Sequence, residues 1–398
     1  MGATTILQSR TTPATAMHRP LAVTHVITTL STGGAEMMLY RLLCAMDRSG
    51  FRNSVIALGG DGVIADKIRS AGIPVRVLDL RPVQLVSGIA RLSRQLRRET
   101  PDVIQTWMYH ADLLGGLASL RLRGVPLAWN IRCGGLDPSI DKRSTIWISR
   151  ACATLSGLLP DRIVSCSQAG GDVHATLGYS RKKLHVIPNG FDVDAYRPDR
   201  ASRIAVRKEL GLDEETLLIG SVGRYDRAKD HATLCDAAAQ VCRLYPQIHF
   251  AMCGENVTGG NSALTSRLRA AGIENRCQLL GRREDIPRLL AALDVFVSSS
   301  AVEGFPNAIG EAMACGVPCV VTDAGDSRRL VSDTGLVVPV GDPEALAAGL
   351  RHIIELGAEG RAALGAKARR RIREFFGIEA VARQYEELYR EMAAACAA

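Results

Sequence analysis

Residues 298–322 read SSSAVEGFPNAIGEAMACGVPCVVT, and the order of turn formers and apolar residues in this stretch decides the fold. The apolar run 294–297 ahead of it reads as a buried strand, and 319–322 reads as the next one. Between them Gly304 and Pro306 make a turn, and Asn307 stands where an N-cap stands. Residues 308–314 are helix formers, Gly316 stops the helix and Pro318 blocks its continuation. Strand, tight turn, short helix and strand together form an anion site. The first-turn N–H groups lack intrahelical partners and carry the positive end of the helix dipole. A diphosphate lined by Gly304, Phe305, Pro306, Asn307 and Ala308 fits there.

Glu303 and Glu311 bracket this turn with seven residues between them. A carboxylate in an anion site makes sense if each accepts hydrogen bonds from hydroxyls flanking a diphosphate, one on a ribose and one on a sugar. The plain alternative is an exposed turn glutamate followed by one favoured by the helix dipole. The run Glu303-Gly304-Phe305-Pro306-Asn307-Ala308-Ile309-Gly310-Glu311 resembles the E-x7-E signature of retaining, nucleotide-sugar-dependent glycosyltransferases of the two-domain GT-B fold, in particular glycosyltransferase family 4. That resemblance implies that Glu311 holds the ribose and Glu303 faces the donor sugar.

Working outward, 398 residues suit two domains, each large enough for its own core. No apolar run reaches the roughly 18 residues of a membrane span. Residues 1–200 carry 25 Lys and Arg against 15 Asp and Glu, whereas 201–398 carry 24 against 26. The basic first half suits an anionic membrane surface or an acidic acceptor such as a lipid diphosphate, and equally a merely basic solvated surface. Nucleic acid is not expected, because no basic stretch is interleaved with aromatics. The 11 cysteines contain no C-x2-C pair and read as buried thiols in a reducing cytosol. Residues 1–20 read as a disordered tail, with Met17 an alternative start.

From Leu21 strand and helix alternate. Apolar strands are expected at 21–28, 53–58, 75–78, 103–106, 126–131, 162–165 and 184–187. A second series follows at 217–222, 248–253, 277–279, 295–297, 319–322 and 336–338. Turn formers and a change of charge balance place a boundary near 190–200. This gives domains 21–195 and 196–375 with a helical segment 376–398. The run Val186-Ile187-Pro188-Asn189-Gly190-Phe191-Asp192 resembles the interdomain connection of the same transferase family. The resemblance further implies that the last helix crosses back onto the first domain.

Other residues at strand ends offer chemistry. Arg224 and Lys229, after strand 217–222, are candidates for a metal-free clamp on a departing diphosphate, or else belong to a solvated loop, and the run 223–229 is similar to the family's phosphate loop. The glycine turn with Gly33 and Gly34 lets backbone approach a phosphate or sugar, or is a plain tight turn. By resemblance it faces the donor. His110 and Asp112 follow strand 103–106. A lone histidine there also reads as a satisfied structural residue, while the resemblance places His110 by the donor sugar. Arg132 and Asp112 are expected to face the acceptor. Asp192-Val193-Asp194 matches a D-x-D metal motif but lies in the connection and reads as a turn. No metal or cofactor is expected.

The expectation is an α/β protein with two doubly wound Rossmann-like domains facing across a cleft. It would move a hexosyl or N-acetylhexosaminyl group from a nucleotide sugar, with UDP the preferred base, to a glycan or lipid-linked acceptor in the cytoplasm. The rivals are a nucleotide-sugar epimerase, an inverting transferase, a catalytically silent scaffold and, third, a nicotinamide dehydrogenase.

Overall fold

The computed structural model describes residues 19–31, 33–80, 85–136 and 142–397. The tail expected at 1–20 lies, up to residue 18 and including Met17, outside the described residues, as does Thr32 of the glycine turn.

Two parallel sheets form the frame. The first contains β1 (Leu21–Ile27), β2 (Phe51–Ala57), β3 (Val75–Val77), β4 (Val103–Trp107), β5 (Leu127–Ile131), β6 (Arg162–Ser165) and β7 (Leu184–Val186), in the order β3-β2-β1-β4-β5-β6-β7. The second contains β8 (Leu218–Val222), β9 (His249–Cys253), β10 (Cys277–Leu279), β11 (Val295–Ser298), β12 (Cys319–Thr322) and β13 (Leu336–Val338), in the order β10-β9-β8-β11-β12-β13. Central strands are buried on both faces by crossover helices, so they read in sequence as near-continuous apolar runs. Strand edges differ from expectation by one or two residues, where turn hydrogen bonds compete with the ladder.

The helix Asn307–Ala314 ends as its sequence dictates. Gly316 adopts φ 75°, the Val317 N–H reaches the Ala312 carbonyl at 3.1 Å, and the Gly316 N–H reaches that of Met313 at 2.9 Å. These are the paired closing bonds of a glycine-terminated helix.

The last helix, Ile378–Ala397, packs Val381, Tyr385, Leu388, Tyr389 and Met392 into the core of the first domain. Tyr389 donates to Gln105 at 3.2 Å, and Asn130 donates to the Tyr385 hydroxyl at 3.1 Å. Among the described residues no helix is long and apolar enough to cross a membrane.

The connection between the domains is wedged in place. Phe191 is fully buried and exchanges backbone hydrogen bonds with Phe376 and Ile378 at 2.8 and 2.9 Å. Its ring lies over Gly310, where an added Cβ would come within 2.0 Å of it, and it stacks on Phe305 at 6.0 Å between centroids. The two motifs singled out in the sequence, 186–192 and 303–311, therefore pack on each other. Asp192 Oδ1 accepts from the N–H groups of Asp194 and Ala195, so the D-x-D run is a turn.

Candidate active site

Each sheet has one place where the chain departs to opposite sides, between β1 and β4 and between β8 and β11. In open α/β sheets the crevice beyond the carboxyl ends of such strands takes the ligand. Here the two crevices face each other.

On the second-domain side β8 delivers the loop 223–230. Asp226 caps the short turn Arg227–Lys229 by accepting from the Lys229 N–H at 3.1 Å. Asp230, at φ 43°, starts the helix His231–Leu244 by accepting from the Thr233 N–H and hydroxyl at 3.2 and 2.6 Å. The Ala228 carbonyl accepts from the N–H groups of Ala301 and Val302 at 2.8 and 3.2 Å, and Ser299 donates to the Lys229 carbonyl at 2.9 Å. The loops after β8 and β11 are thus one unit. The Lys229 ammonium pairs with Glu303, whose Oε1 also accepts from the Ser300 hydroxyl at 2.8 Å. Arg224 is turned outward, its side chain 68% exposed, and pairs with Asp226.

Asn307 is not the N-cap expected of it. Pro306 occupies that position, Asn307 is the first helical residue, and no side chain caps the helix. The reason is a distant partner: Asn307 Oδ1 accepts from Asn189 Nδ2 at 2.7 Å. The first-turn N–H groups are left without a side-chain acceptor. Across the cleft stands Gly34, where a Cβ would lie 3.4 Å from Asn307 Nδ2. Phe305 turns its ring away from the cleft between Phe191 and Phe376, so only its backbone borders the turn. Glu311, one helical turn in, pairs with Arg41 of the first domain at 3.0 Å. Arg41 also donates to the Tyr196 hydroxyl at 3.4 Å, and burial together with Glu311 pushes that phenol above its ordinary range.

On the first-domain side a pocket of about 380 Å³ is lined by Thr28, Gly34, Glu36, Met108, His110 and Arg132, among others. Met108 takes φ 72°, in the left-handed region, between β4 and the helix Tyr109–Ser119. This turn sets His110 at the pocket wall. Burial, and then Lys142, lower its basicity, which favours a neutral imidazole. Arg132 stacks on Trp107 with 5.1 Å from its guanidinium carbon to the ring centre, and donates to Asn130 and Asn189.

Asp112 does not line this pocket, contrary to its expected place beside the acceptor. It is fully buried, one turn into the helix on the side facing the sheet. Its Oδ1 accepts from the Thr106 hydroxyl at 2.5 Å and the Asn130 N–H at 3.3 Å, and Oδ2 has no partner among the described residues. Burial raises its carboxyl from 3.8 to about 8 despite those two bonds.

Sequence reading missed the contacts that close the cleft. Asp326 of the second domain accepts from the N–H groups of Gln168 and Ala169, both at 2.9 Å, at the start of the first-domain helix Gln168–Thr176. Gly134, Gly304 and Gly325 let three backbone segments touch. A Cβ at Gly134 or at Gly325 would come within 2.4 Å of the Glu303 carbonyl oxygen. Glu36 accepts from Thr29 at 3.2 Å at the pocket edge. Of these, Glu36 alone had a local signal, its place in the first turn after the glycines. Among the described residues no group of three His, Cys, Asp or Glu side chains is placed to hold a metal ion.

Residues 32–195 match the family described as Glycosyltransferase Family 4, and residues 202–371 match that described as Glycosyl transferases group 1. The chain is 24% identical over 348 residues to a putative glycosyltransferase, EpsF, of Bacillus subtilis, covering 85% of this chain and 88% of that one. It is 26% identical over 282 residues to the UDP-Gal:alpha-D-GlcNAc-diphosphoundecaprenol alpha-1,3-galactosyltransferase of Escherichia coli, covering 70% and 72%. Among solved structures it is similar to HepE of Anabaena in complex with UDP, with TM-score 0.81 and 25% identity over 93% of this chain and all of that one. The same protein in complex with UDP-glucose gives a TM-score of 0.79 and 26% identity, again over 93% of this chain and all of that one.

Proposed function

The chain belongs to glycosyltransferase family 4, and on that premise we propose that it moves a hexosyl or N-acetylhexosaminyl group from a UDP-linked sugar to a glycan or lipid-linked acceptor, with retention of anomeric configuration. The observation that carries this reading is the second-domain crevice. Lys229 and Glu303 are held together there beside an uncapped helix N-terminus, opposite Gly34. The structures of HepE with UDP and with UDP-glucose support UDP as the base. The lipid-diphosphate acceptor named for the Escherichia coli relative, with the basic first domain, supports a lipid-linked acceptor.

In this mechanism Glu311 accepts hydrogen bonds from the ribose hydroxyls. Lys229, Arg224 swung inward from Asp226, and the first-turn N–H groups at 307–309 stabilise charge as the sugar–phosphate bond breaks. Glu303 and neutral His110 orient the sugar. Its reacting carbon is exposed to the acceptor hydroxyl on the face the diphosphate leaves, and the diphosphate takes the acceptor proton. The acceptor occupies the pocket beside His110 and Arg132. The reaction needs no cofactor and runs in the cytoplasm, at the inner face of the membrane. The test is NMR of the product made from an α-linked UDP-sugar and a lipid-diphosphate acceptor. An α-linked product with release of UDP is expected, and a β-linked product would contradict retention.

A further inference from the structure

The protein has three tryptophans, and two of them, Trp107 and Trp129, are fully buried. Trp147 is 68% exposed. It sits on the helix Arg143–Leu155, which buries Ser149, Cys152 and Ala153 against the first domain. Its outward side carries Arg143, Trp147, Arg150 and Thr154 at helical spacing, and Leu158, 80% exposed, continues the line. The Arg150 guanidinium lies 5.6 Å from the Trp147 ring centre. The helix contains no acidic residue, and exposed Lys142 precedes it.

This helix lies beside Tyr109–Ser119, which in turn lies beside Leu85–Glu99. The opposite side of the same sheet is covered by Ile378–Ala397, while these three helices face outward. Val86 and Leu120, 82% and 66% exposed, border a shallow groove of about 420 Å³ between the last two, with Arg121 at its rim. Apolar tips among arginines, with few acids, fit one kind of surface. Aromatic rings settle at the headgroup level of a bilayer while arginines meet lipid phosphates. Thr145, two residues from Trp147, lines the pocket beside His110 and Arg132.

We infer that the outer face of Arg143–Leu155, centred on Trp147, docks the protein on an anionic phospholipid bilayer and holds the first-domain pocket at headgroup depth. This deepens the proposed function, on which it rests for the identity of the lipid-linked acceptor. The docking surface itself is defined by its own residues.

Because Trp107 and Trp129 are buried, quenching of fluorescence by lipids brominated on their acyl chains reports on Trp147. Full-length protein is mixed with vesicles of equal phosphatidylglycerol and phosphatidylcholine, and with phosphatidylcholine alone. Co-sedimentation and quenching with the anionic vesicles are expected, both weakening with salt. The double variant Arg143→Glu, Arg150→Glu should bind about 10-fold or more weakly, and Trp147→Ala should lose the quenching and part of the binding. The thermal shift given by UDP should be unchanged in both variants. Absence of binding to anionic vesicles, binding without quenching, or wild-type binding by the double variant would each overturn the inference. Vesicle binding with quenching in a protein that gives no thermal shift with UDP would keep the docking surface and remove the donor reading.

Discussion

The two walls of the cleft are built on opposite electrostatic plans. The second-domain wall is charged before any ligand arrives: Lys229 and Glu303 are paired, Ser300 joins them, and a helix N-terminus is left uncapped. The first-domain wall presents Arg132 and Glu36 on a base of buried neutral groups. Tyr109 shares a 2.6 Å hydrogen bond with His174, and Thr106 and Asn130 converge on Asp112. Burial raises the Tyr109 phenol and lowers His174, so each stays uncharged. A site that stabilises a leaving diphosphate needs fixed charge that reorganises little. A wall that shapes an acceptor pocket needs rigidity instead.

If that contrast is right, removing charge from the second wall should have the largest effect. Arg224→Ala combined with Lys229→Ala should lower turnover by about 1,000-fold or more with the fold intact. Near-wild-type rates with an unchanged melting curve would break the comparison. Next in size is the seam between the walls. Asp326→Ala removes two charge-assisted bonds across the cleft and should cost about 2–3 kcal/mol of stability. It should lower kcat/KM more than it weakens UDP binding, and calorimetry beside kinetics would separate the two.

Glu311 sharpens the comparison because it is contested. Glu311→Ala should weaken UDP binding by about 1–3 kcal/mol if it holds ribose hydroxyls. Arg41→Ala, which frees the same carboxylate, should leave UDP affinity equal or tighter. Equal losses in both variants would mean that the ion pair, not the ribose contact, matters.

The smallest effect is a pH dependence in the neutral wall. Between pH 3.8 and about 8 the folded protein keeps a proton on Asp112 that the unfolded chain has released. This contribution is complete below 3.8 and is lost as pH rises through 8. Asp112→Asn lacks that loss, so its melting temperature relative to wild type should rise by a few degrees from pH 5 to pH 8. His25 works in the opposite sense. Burial lowers it to about 4, so stability is lost as pH falls from 6.5 toward 4. Its substitution would leave the pH 8 difference untouched.

The same contrast explains what could be read from the chain. The charged wall is compact in sequence: Arg224 and Lys229 lie in one loop, and Glu303 to Glu311 in one turn and helix. Their residue types carry the proposed chemistry, and parallel strands buried on both faces announce themselves as apolar runs. The neutral wall is assembled from the ends of β1, β4 and β5 and the start of Arg143–Leu155, so no single stretch shows it. Asp112 looked like a strand-end carboxylate, but helical geometry one turn past Tyr109 folds it under the sheet. Asn307 looked like a cap, but Asn189, 118 positions away, claims its side chain. Arg41 lies within a helix and Asp326 just ahead of one, and their partners appear only in the folded two-domain structure.

The most direct measurement is calorimetric titration of UDP into the wild-type protein and into the Arg224→Ala, Lys229→Ala double variant. One UDP bound per wild-type chain, with binding abolished or strongly weakened in the variant, is the predicted result. Equal binding by both proteins, or no binding of UDP by the wild type, would contradict a UDP-sugar held by the second-domain wall.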